Sequence, residues 1–489
     1  MAEDSAEWLE LGEQFEIESI ERIVNDAVDG MDSSILQAPY HGRGEPPFPP
    51  ELMLKIVLFE MLDGRSSPSQ WFKDVRKNAA LRWLGRGIHP SRTACYMFRD
   101  RLGNIIEILN KQLVNMICAE EGIVPTTGVM DGTTIRALAS RHRLVNIETL
   151  LKRRESLQAA IEAAADSVAE VDQPNWMAAT PGGRLEQANR YDQAKLILEG
   201  RIQENAKKPK DKRLKESHVK VSVSEPEAPL GRDKEKVFCA LYTPQFMVEP
   251  SSFLILSYDV FDRATDTGTL PPMIDHTQEI VGGKLKKAIV DSSYVTVLDL
   301  QACQQRNIEL IGPVQENSFT KRKKQAHTQS KQIARDQFHW LSTEQTYVCP
   351  QGHPLDYRGK QRKRRRGDQY VIEHRYHCSP RHCKGCPLAS QCVRDPNKGR
   401  TIKRLEGQDL LDQQRKKMED EEVKAEYKKR SGVIERTFGD VKGNREFRRF
   451  RSRGIARAKT QIGILVIAQN ILTAHRLKKI RLKQAEDKT

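Results

Sequence analysis

Between Gly128 and Val314 the chain changes rhythm, and that change narrows the possible folds more than any other feature of the sequence. Short apolar, β-branched runs come first without helices between them: GVM, then VFCALYTPQFMVEP and FLILSYDVF. Runs of the same kind then alternate with helical periodicity. A helix near Pro272 to Val281 precedes the strand AIVDSS, and a helix from Val295 to Arg306 precedes the strand IELIGPV. Consecutive strands followed by strands alternating with helices predict an α/β fold, a mixed sheet flanked by helices. The two longest runs, joined around Pro250 and two serines, read as a β-hairpin. GVMDGTTIRALAS reads as a short strand with turn chemistry at Asp131 and Gly132.

Two stretches break the rhythm and read as insertions in this sheet domain. In the first, 141–218, Leu144, Ile147, Leu151, Leu157 and Ile161, then Leu185, Ala188, Tyr191, Leu198 and Ile202, predict a hairpin of antiparallel helices. It ends in the lysine-rich segment NAKKPKDKRLK. The second, 316–420, carries the basic runs KRKK and QRKRRRG and a cysteine cluster. Ahead of the sheet domain, 121–489, lies an all-helical region, 1–120. It is read as an acidic helix from Ala6 to Ala27, a Gly/Pro-rich connector and three helices reaching Glu120. The last, SRTACYMFRDRL, has Ser91 as N-cap, puts Cys95, Phe98 and Leu102 on one face, and offers Arg92, Arg99 and Arg101 to solvent. Such a domain can read DNA, and it serves as readily as a plain packing module.

A net charge of +15 and a pI near 9.3 point to a polyanionic partner, of which nucleic acid is the commonest. No membrane partner is expected. The chain opens MAEDSAEWLE, without the basic start and apolar core of a signal peptide, and its longest apolar stretch, Ile462 to Leu472, is interrupted by Gln469 and Asn470. The expected location is the cytoplasm. Cys95, Cys118, Cys239 and Cys303 are scattered, whereas five of the nine cysteines lie between Cys349 and Cys392, a crowding that favours a metal over disulfides. Cys383 and Cys386 form a CxxC with Cys392 downstream and Cys349 upstream, a spacing that suits tetrahedral zinc. Cys378, His353, His377 and His382 leave the ligand set open, and an iron-sulfur cluster is a weaker fit.

Carboxylates supply the candidate chemistry. Asp131 and Asp291 each follow a short apolar run at the C-terminal end of a strand, the edge where α/β sheets hold ligands. Glu435 stands among Ile434, Phe438 and Val441 at helical spacing, and on an unbroken helix Lys442 falls within roughly 20° of it. Two-metal phosphoryl transfer requires a few such carboxylates around Mg²⁺ or Mn²⁺. Strand-end aspartates also commonly start turns or cap helices, and this chain has 66 acidic residues to choose from.

The segments VMDGTTIRALAS, KKAIVDSSYVTVLDLQAC and VIERTFGDVKGNREFRRFRSRG resemble, in order and wording, the three signature blocks of the DDE transposases of bacterial insertion sequences. The helical segment with FRDRL resembles that family's terminal-repeat-binding domain, and the cysteine-bearing insertion resembles one of its branches. Together these cover most of the chain, the third block being the most specific. The resemblance implies a ribonuclease-H-like catalytic domain, with Asp131, Asp291 and Glu435 as the metal-binding triad. It also implies double-stranded DNA as partner, both terminal inverted repeats and target, bound by a dimer or higher assembly. Cleavage at the element's ends would be followed by strand transfer. Within the cysteine cluster it favours Cys349, Cys383, Cys386 and Cys392 as zinc ligands.

The family's third block often reads Tyr-x2-Arg-x3-Glu-x6-Lys, and Tyr427, Arg430, Glu435 and Lys442 match except for one extra residue before the glutamate. On an unbroken helix that residue turns Arg430 to about 140° from Glu435 rather than about 40°. A helix beginning at Ser431 and Gly432 would leave Arg430 in a loop. Ser292 and Ser293 stand where glycine often follows the second aspartate, a departure expected not to touch the ligand. Arg430 and Lys442 join Arg445, Arg448, Arg449, Arg451 and Arg453 as the DNA-binding candidates, with Arg448 and Arg449 the best for phosphate and Phe447 and Phe450 expected to pack inward. Two further readings are a nuclease that hydrolyses without joining and a non-catalytic zinc-containing DNA-binding protein.

Overall fold

The computed structural model describes residues 5–40, 48–165, 174–208, 210–315, 333, 335–364 and 370–487. The chain divides into two compact units, one of residues 1–290 and 428–489, the other of residues 291–427. The strands of the first unit are β1 (Thr127–Gly132), β2 (Ile135–Arg136), β3 (Leu144–Val145), β4 (Val221–Ser222), β5 (Leu230–Arg232), β6 (Phe238–Val248), β7 (Ile255–Phe261) and β8 (Lys287–Ile289). β6 organises the sheet, pairing antiparallel with β7, β5, β1 and β2, while β8 lies parallel to β1 on its far side. The short pair β3 and β4 stands apart. From Cys239 to Val248, β6 is buried on both faces, which is why its sequence reads as a continuous apolar run rather than an alternating one.

The turn expected at Asp131 and Gly132 does not form. Asp131 faces Phe246 and Gly132 faces Gln245 across the ladder, and Ile135 faces Tyr242 in the same register. The Thr133 amide donates to the Pro244 carbonyl at 2.9 Å, so β1 and β2 run as one line past the aspartate. The β6–β7 hairpin is as expected. The Glu249 carboxylate caps its turn, accepting from the amides of Ser251 (2.9 Å) and Ser252 (2.6 Å).

The helix Ile455–Glu486 is buried all round from Gln461 to Asn470 and packs against β7 and the helices Ile20–Asp29, Pro50–Leu62 and Ile106–Glu120. An apolar helix without a polar face belongs in a core, and this one accounts for the long apolar stretch of the sequence. Its two interrupting amides have partners. The Asn470 side chain accepts from the Ile255 amide (3.0 Å) and donates to the Ile255 carbonyl (2.9 Å), and Gln469 donates to Asp440 (2.5 Å). No helix among the described residues is long and apolar enough to cross a membrane.

Among the described residues the N-terminal region holds only helices and loops, and it is more finely divided than the sequence suggests. Ala6–Glu13 and Ile20–Asp29 replace a single helix, because the Ser19 hydroxyl caps the second at the Arg22 amide while the Arg22 guanidinium closes the joint on the carbonyls of Gly12 (2.7 Å) and Phe15 (2.9 Å). A short helix, Ser33–Gln37, comes next, and after the connector five helices rather than three are described: Pro50–Leu62, Pro68–Asp74, Ala79–Leu84, Arg92–Leu102 and Ile106–Glu120. Ser91 caps Arg92–Leu102 as expected, and Cys95, Phe98 and Leu102 are buried. Arg99 is not on the solvent face. It is 4% exposed, pairs with Asp100 at 2.6 Å and donates to the Ser452 hydroxyl at 3.3 Å.

The helices Ile147–Ala165 and Pro181–Ala206 pack on each other through Leu157, Ala160, Ala188, Tyr191 and Leu198. The expected stripe is borne out at Leu157, Ala188, Tyr191 and Leu198, whereas Leu151 and Leu185 are exposed and Leu150 is buried instead.

The second unit holds β9 (Glu309–Ile311), a pair β10 (His339–Leu341) and β11 (Thr346–Val348), and a three-stranded antiparallel sheet of β12 (Asp356–Arg364), β13 (Tyr370–Cys378) and β14 (Arg400–Leu405). Its core gathers Phe338, Tyr347, Leu355, Tyr376 and Ile402 with the buried Cys378 and Cys383. The Arg404 guanidinium lies 3.9 Å over the Trp340 ring and pairs with Asp412 at 3.2 Å. The run KRKK at 321–324 and the end of QRKRRRG at 365–367 lie outside the described residues.

Candidate active site and cysteine centre

Asp131 stands on the central strand of the first unit, one pairing away from buried Met130 and only partly open to solvent. Its Oδ1 accepts from the Gly132 amide at 2.8 Å, and its Oδ2 accepts from Arg430 at 2.7 Å. Arg430 is itself largely covered, so this ion pair is sheltered from water and screened less than a surface pair. The helix Glu421–Gly439 is unbroken, so the expectation of Arg430 in a preceding loop does not hold. The extra residue instead rotates the guanidinium away from Glu435 and onto Asp131.

Glu435 is exposed, and its Oε1 accepts from the Ser431 hydroxyl one turn earlier at 2.7 Å. Val433, Ile434, Thr437 and Phe438 hold the opposite side of the helix in the core, with Phe438 edge-on to Phe246 of β6 at 5.8 Å. Lys442 does not continue that helix. Residues Asp440–Asn444 form a π turn, closed by the Arg445 amide on the Asp440 carbonyl at 2.9 Å. The wider turn breaks the projection that placed Lys442 in line with Glu435. Lys442 reaches instead to the Thr134 carbonyl, 3.1 Å away at the end of β1. Burial, with Lys234 beside it, lowers its pKa from 10.5 to about 8.

The arginine run divides by environment. Arg445 pairs with Asp440 at 3.3 Å and donates to the Leu62 carbonyl. Arg449 donates to the carbonyls of Ala137 (3.3 Å) and Ala139 (3.1 Å), stitching the segment alongside β2. Arg448, Arg451 and Arg453 are exposed, Arg448 lying 3.9 Å from Glu235. Phe447 and Phe450 are buried edge-to-face at 5.6 Å, the packing role expected of them.

Sequence reading did not foresee the wall opposite Lys442. Thr134, Arg136, Asp233, Lys234 and Glu235 share a cleft with Phe438 and Lys442, and Arg136 is paired to Asp233 and Glu235. The Thr134 hydroxyl is buried beside this cleft without a hydrogen-bond partner, as is that of its neighbour Thr133. The Thr-Thr pair that follows Asp131 and Gly132 was the available signal.

Asp291 opens the second unit. Its Oδ1 accepts from both the amide and the hydroxyl of Ser293, each at 2.6 Å. The serine that replaces a common glycine therefore does touch the candidate ligand, fixing one of its oxygens.

In the same unit Cys349, Cys378, Cys383, Cys386 and Cys392 line one small cavity together with His382. The Cys378 thiol is hydrogen-bonded to Cys383 and Cys349, and burial together with those neighbours pushes it up to about 12. Cys349 and Cys383 each begin a tight turn whose glycine, Gly352 (φ 79°) or Gly385 (φ 78°), takes the left-handed conformation. The Cys349 thiol accepts from the His353 amide at 3.4 Å, and the His353 and His382 rings stack at 4.3 Å. All four favoured cysteines are thus gathered, with Cys378 as a fifth. Among the described residues, no group of three or more His, Cys, Asp and Glu side chains is arranged to hold a metal ion as it stands.

Comparison with known proteins adds two matches. Residues 348–475, from the cysteine centre through Glu435 to the central helix, match the family described as Transposase DDE domain. Residues 9–101, the N-terminal helices, match Transposase domain (DUF772). No curated protein and no solved structure matches. The chain thus carries two transposase domains of the insertion-sequence type, one of them the DDE domain of a phosphoryl-transfer enzyme.

Proposed function

We propose that Asp131, Asp291 and Glu435 form the triad that holds the catalytic divalent ions, Mg²⁺ or Mn²⁺, in cleavage of insertion-sequence ends and strand transfer to target DNA. The observation that carries the reading is the Arg430–Asp131 pair, which ties the glutamate-bearing helix to the central strand. The sheet order supports a ribonuclease-H-like core: β7, β6 and β1 antiparallel in sequence, then β8 parallel to β1. Val129 and Ile289 are in register, and Asp131 and Asp291 each follow their partner by two residues.

The donor chemistry fits a hard cation, since all three candidates are carboxylates and Asp131 already accepts a cationic group at Oδ2. Once bound, the ions would supply Lewis-acid activation of a water and then of a freed 3′-hydroxyl. The chain's own part is positioning. The Gly132 amide fixes one oxygen of Asp131, Ser293 one of Asp291 and Ser431 one of Glu435. Lys442, Arg448, Arg451 and Arg453 would meet phosphates, whereas Arg445 and Arg449 act more as struts for that surface. Pairing two DNA ends requires at least a dimer on DNA.

The cysteine centre fits structural zinc, because crowded buried thiols gain most from a cation that takes them as thiolates. Cys349, Cys383, Cys386 and Cys392 would hold it, with Cys378 in reach of the same cavity. Incubating precut element ends and a target plasmid with the enzyme and Mn²⁺ tests the reaction. Joined products are expected, and cutting without joining would leave a nuclease.

A further inference from the structure

A second cationic cavity, lined by none of the three carboxylates, lies against the helical hairpin. Arg143, Arg153, Arg190 and Arg453 line it together with Trp176 and Tyr191, and among the described residues none that lines it is acidic. The site is built rather than incidental. Gln187, itself buried, donates to the Trp176 carbonyl (2.8 Å) and accepts from the Ala178 amide (2.8 Å). Arg184, also buried, donates to the carbonyls of Ala178 (3.1 Å) and Ala160 (3.1 Å). Two buried polar side chains are thus spent on pinning the segment around Trp176. The indole lies 6.0 Å from the Tyr191 ring and 5.2 Å from the Arg153 guanidinium.

Four guanidinium groups around two aromatic rings match a nucleotide whose base is unpaired: phosphate for the arginines, an exposed π-face for the indole. Paired DNA offers the phosphates but keeps its bases stacked inside the duplex. We propose that this cavity binds an unpaired nucleotide of the DNA substrate, with Trp176 contacting the base and Arg143, Arg190 and Arg453 the flanking phosphates. The inference rests on the reading of the chain as a DNA-end-processing enzyme, and it extends the phosphate track of the third block, since Arg453 belongs to both.

The test is binding in EDTA, so it does not depend on whether the triad is catalytic. Anisotropy titrations compare an oligothymidylate of about ten nucleotides, within the span one such surface covers, with a blunt duplex at one salt concentration. Trp176→Leu should weaken oligothymidylate binding about tenfold, the scale of one lost base contact, and leave the blunt duplex within about twofold. Arg143→Ala, at an exposed position that no core contact depends on, should lower the salt slope for the oligothymidylate by about 0.7. Equal losses on both DNAs for Trp176→Leu would reduce the cavity to a phosphate patch and overturn the assignment. No loss for either variant would remove it from DNA binding altogether. Loss of joining by triad variants with these affinities unchanged would bear on the catalytic reading alone.

Discussion

Lys442 is a cation held where water would otherwise stabilise it, and that makes its replacement informative. Burial lowers its pKa from 10.5 to about 8. At roughly 1.4 kcal/mol per unit, the charged form costs the folded protein up to about 3 kcal/mol. Its hydrogen bond to the Thr134 carbonyl would be lost on substitution, offsetting about 1 kcal/mol. Lys442→Met should therefore stabilise the free protein by about 2 kcal/mol at pH 7. With rising pH that advantage is lost and then reverses, because only the cost of burying the charge disappears. Between about pH 8 and 10.5 the folded lysine releases a proton that the unfolded one keeps, so wild-type stability rises through that window and the advantage of the variant shrinks. Urea melts of both proteins at pH 7 and pH 10 measure this. On DNA the variant should bind more weakly, and only the wild type should lose affinity as pH passes about 8. A variant less stable than wild type at pH 7, or a gap that does not narrow by pH 10, would refute the reasoning.

Other substitutions probe the fold and the second unit. Burial, reinforced by Asp74 and Asp63, raises the Glu60 carboxyl from 4.5 to about 8, so the folded state keeps a proton that the unfolded state has released and stability falls as pH rises between those values. Glu60→Gln should flatten that fall, seen as urea midpoints that converge at pH 5 and diverge in favour of the variant at pH 8. Gly463→Ala should destabilise by about 1–3 kcal/mol, a drop in Tm despite alanine's higher helix propensity, because its Cβ would collide with the Tyr258 hydroxyl and Ile106. Purified protein should carry one zinc per chain by elemental analysis. Cys383→Ser should lose it, and comparing Cys378→Ser with Cys386→Ser shows which thiol completes the set.

Much of this architecture is legible locally. Ser91 announces its helix, the β6–β7 hairpin follows from two long β-branched runs, and the helices after Pro272 and Val295 follow from periodicity. What escaped depends on distant partners. Arg99 looks like a surface residue until Ser452, far along the chain, comes to meet it. The line of β1 through Asp131 is dictated by pairing with β6, which overrides the turn propensity of an Asp-Gly step. Lys442 was misdirected because a period of about 3.6 residues fails inside a π turn. The candidate carboxylates could be named from strand ends and block wording, but the partner that holds Asp131 could not, since the rotation of Arg430 matters only once β1 is in place.

The central claim is that Asp131, Asp291 and Glu435 act together on the scissile phosphate. Asp131→Asn, Asp291→Asn and Glu435→Gln should each bind an end-bearing duplex with near wild-type affinity in EDTA. In Mn²⁺ none should cleave it. Full cleavage by any one of them would contradict the account by removing that carboxylate from the active site.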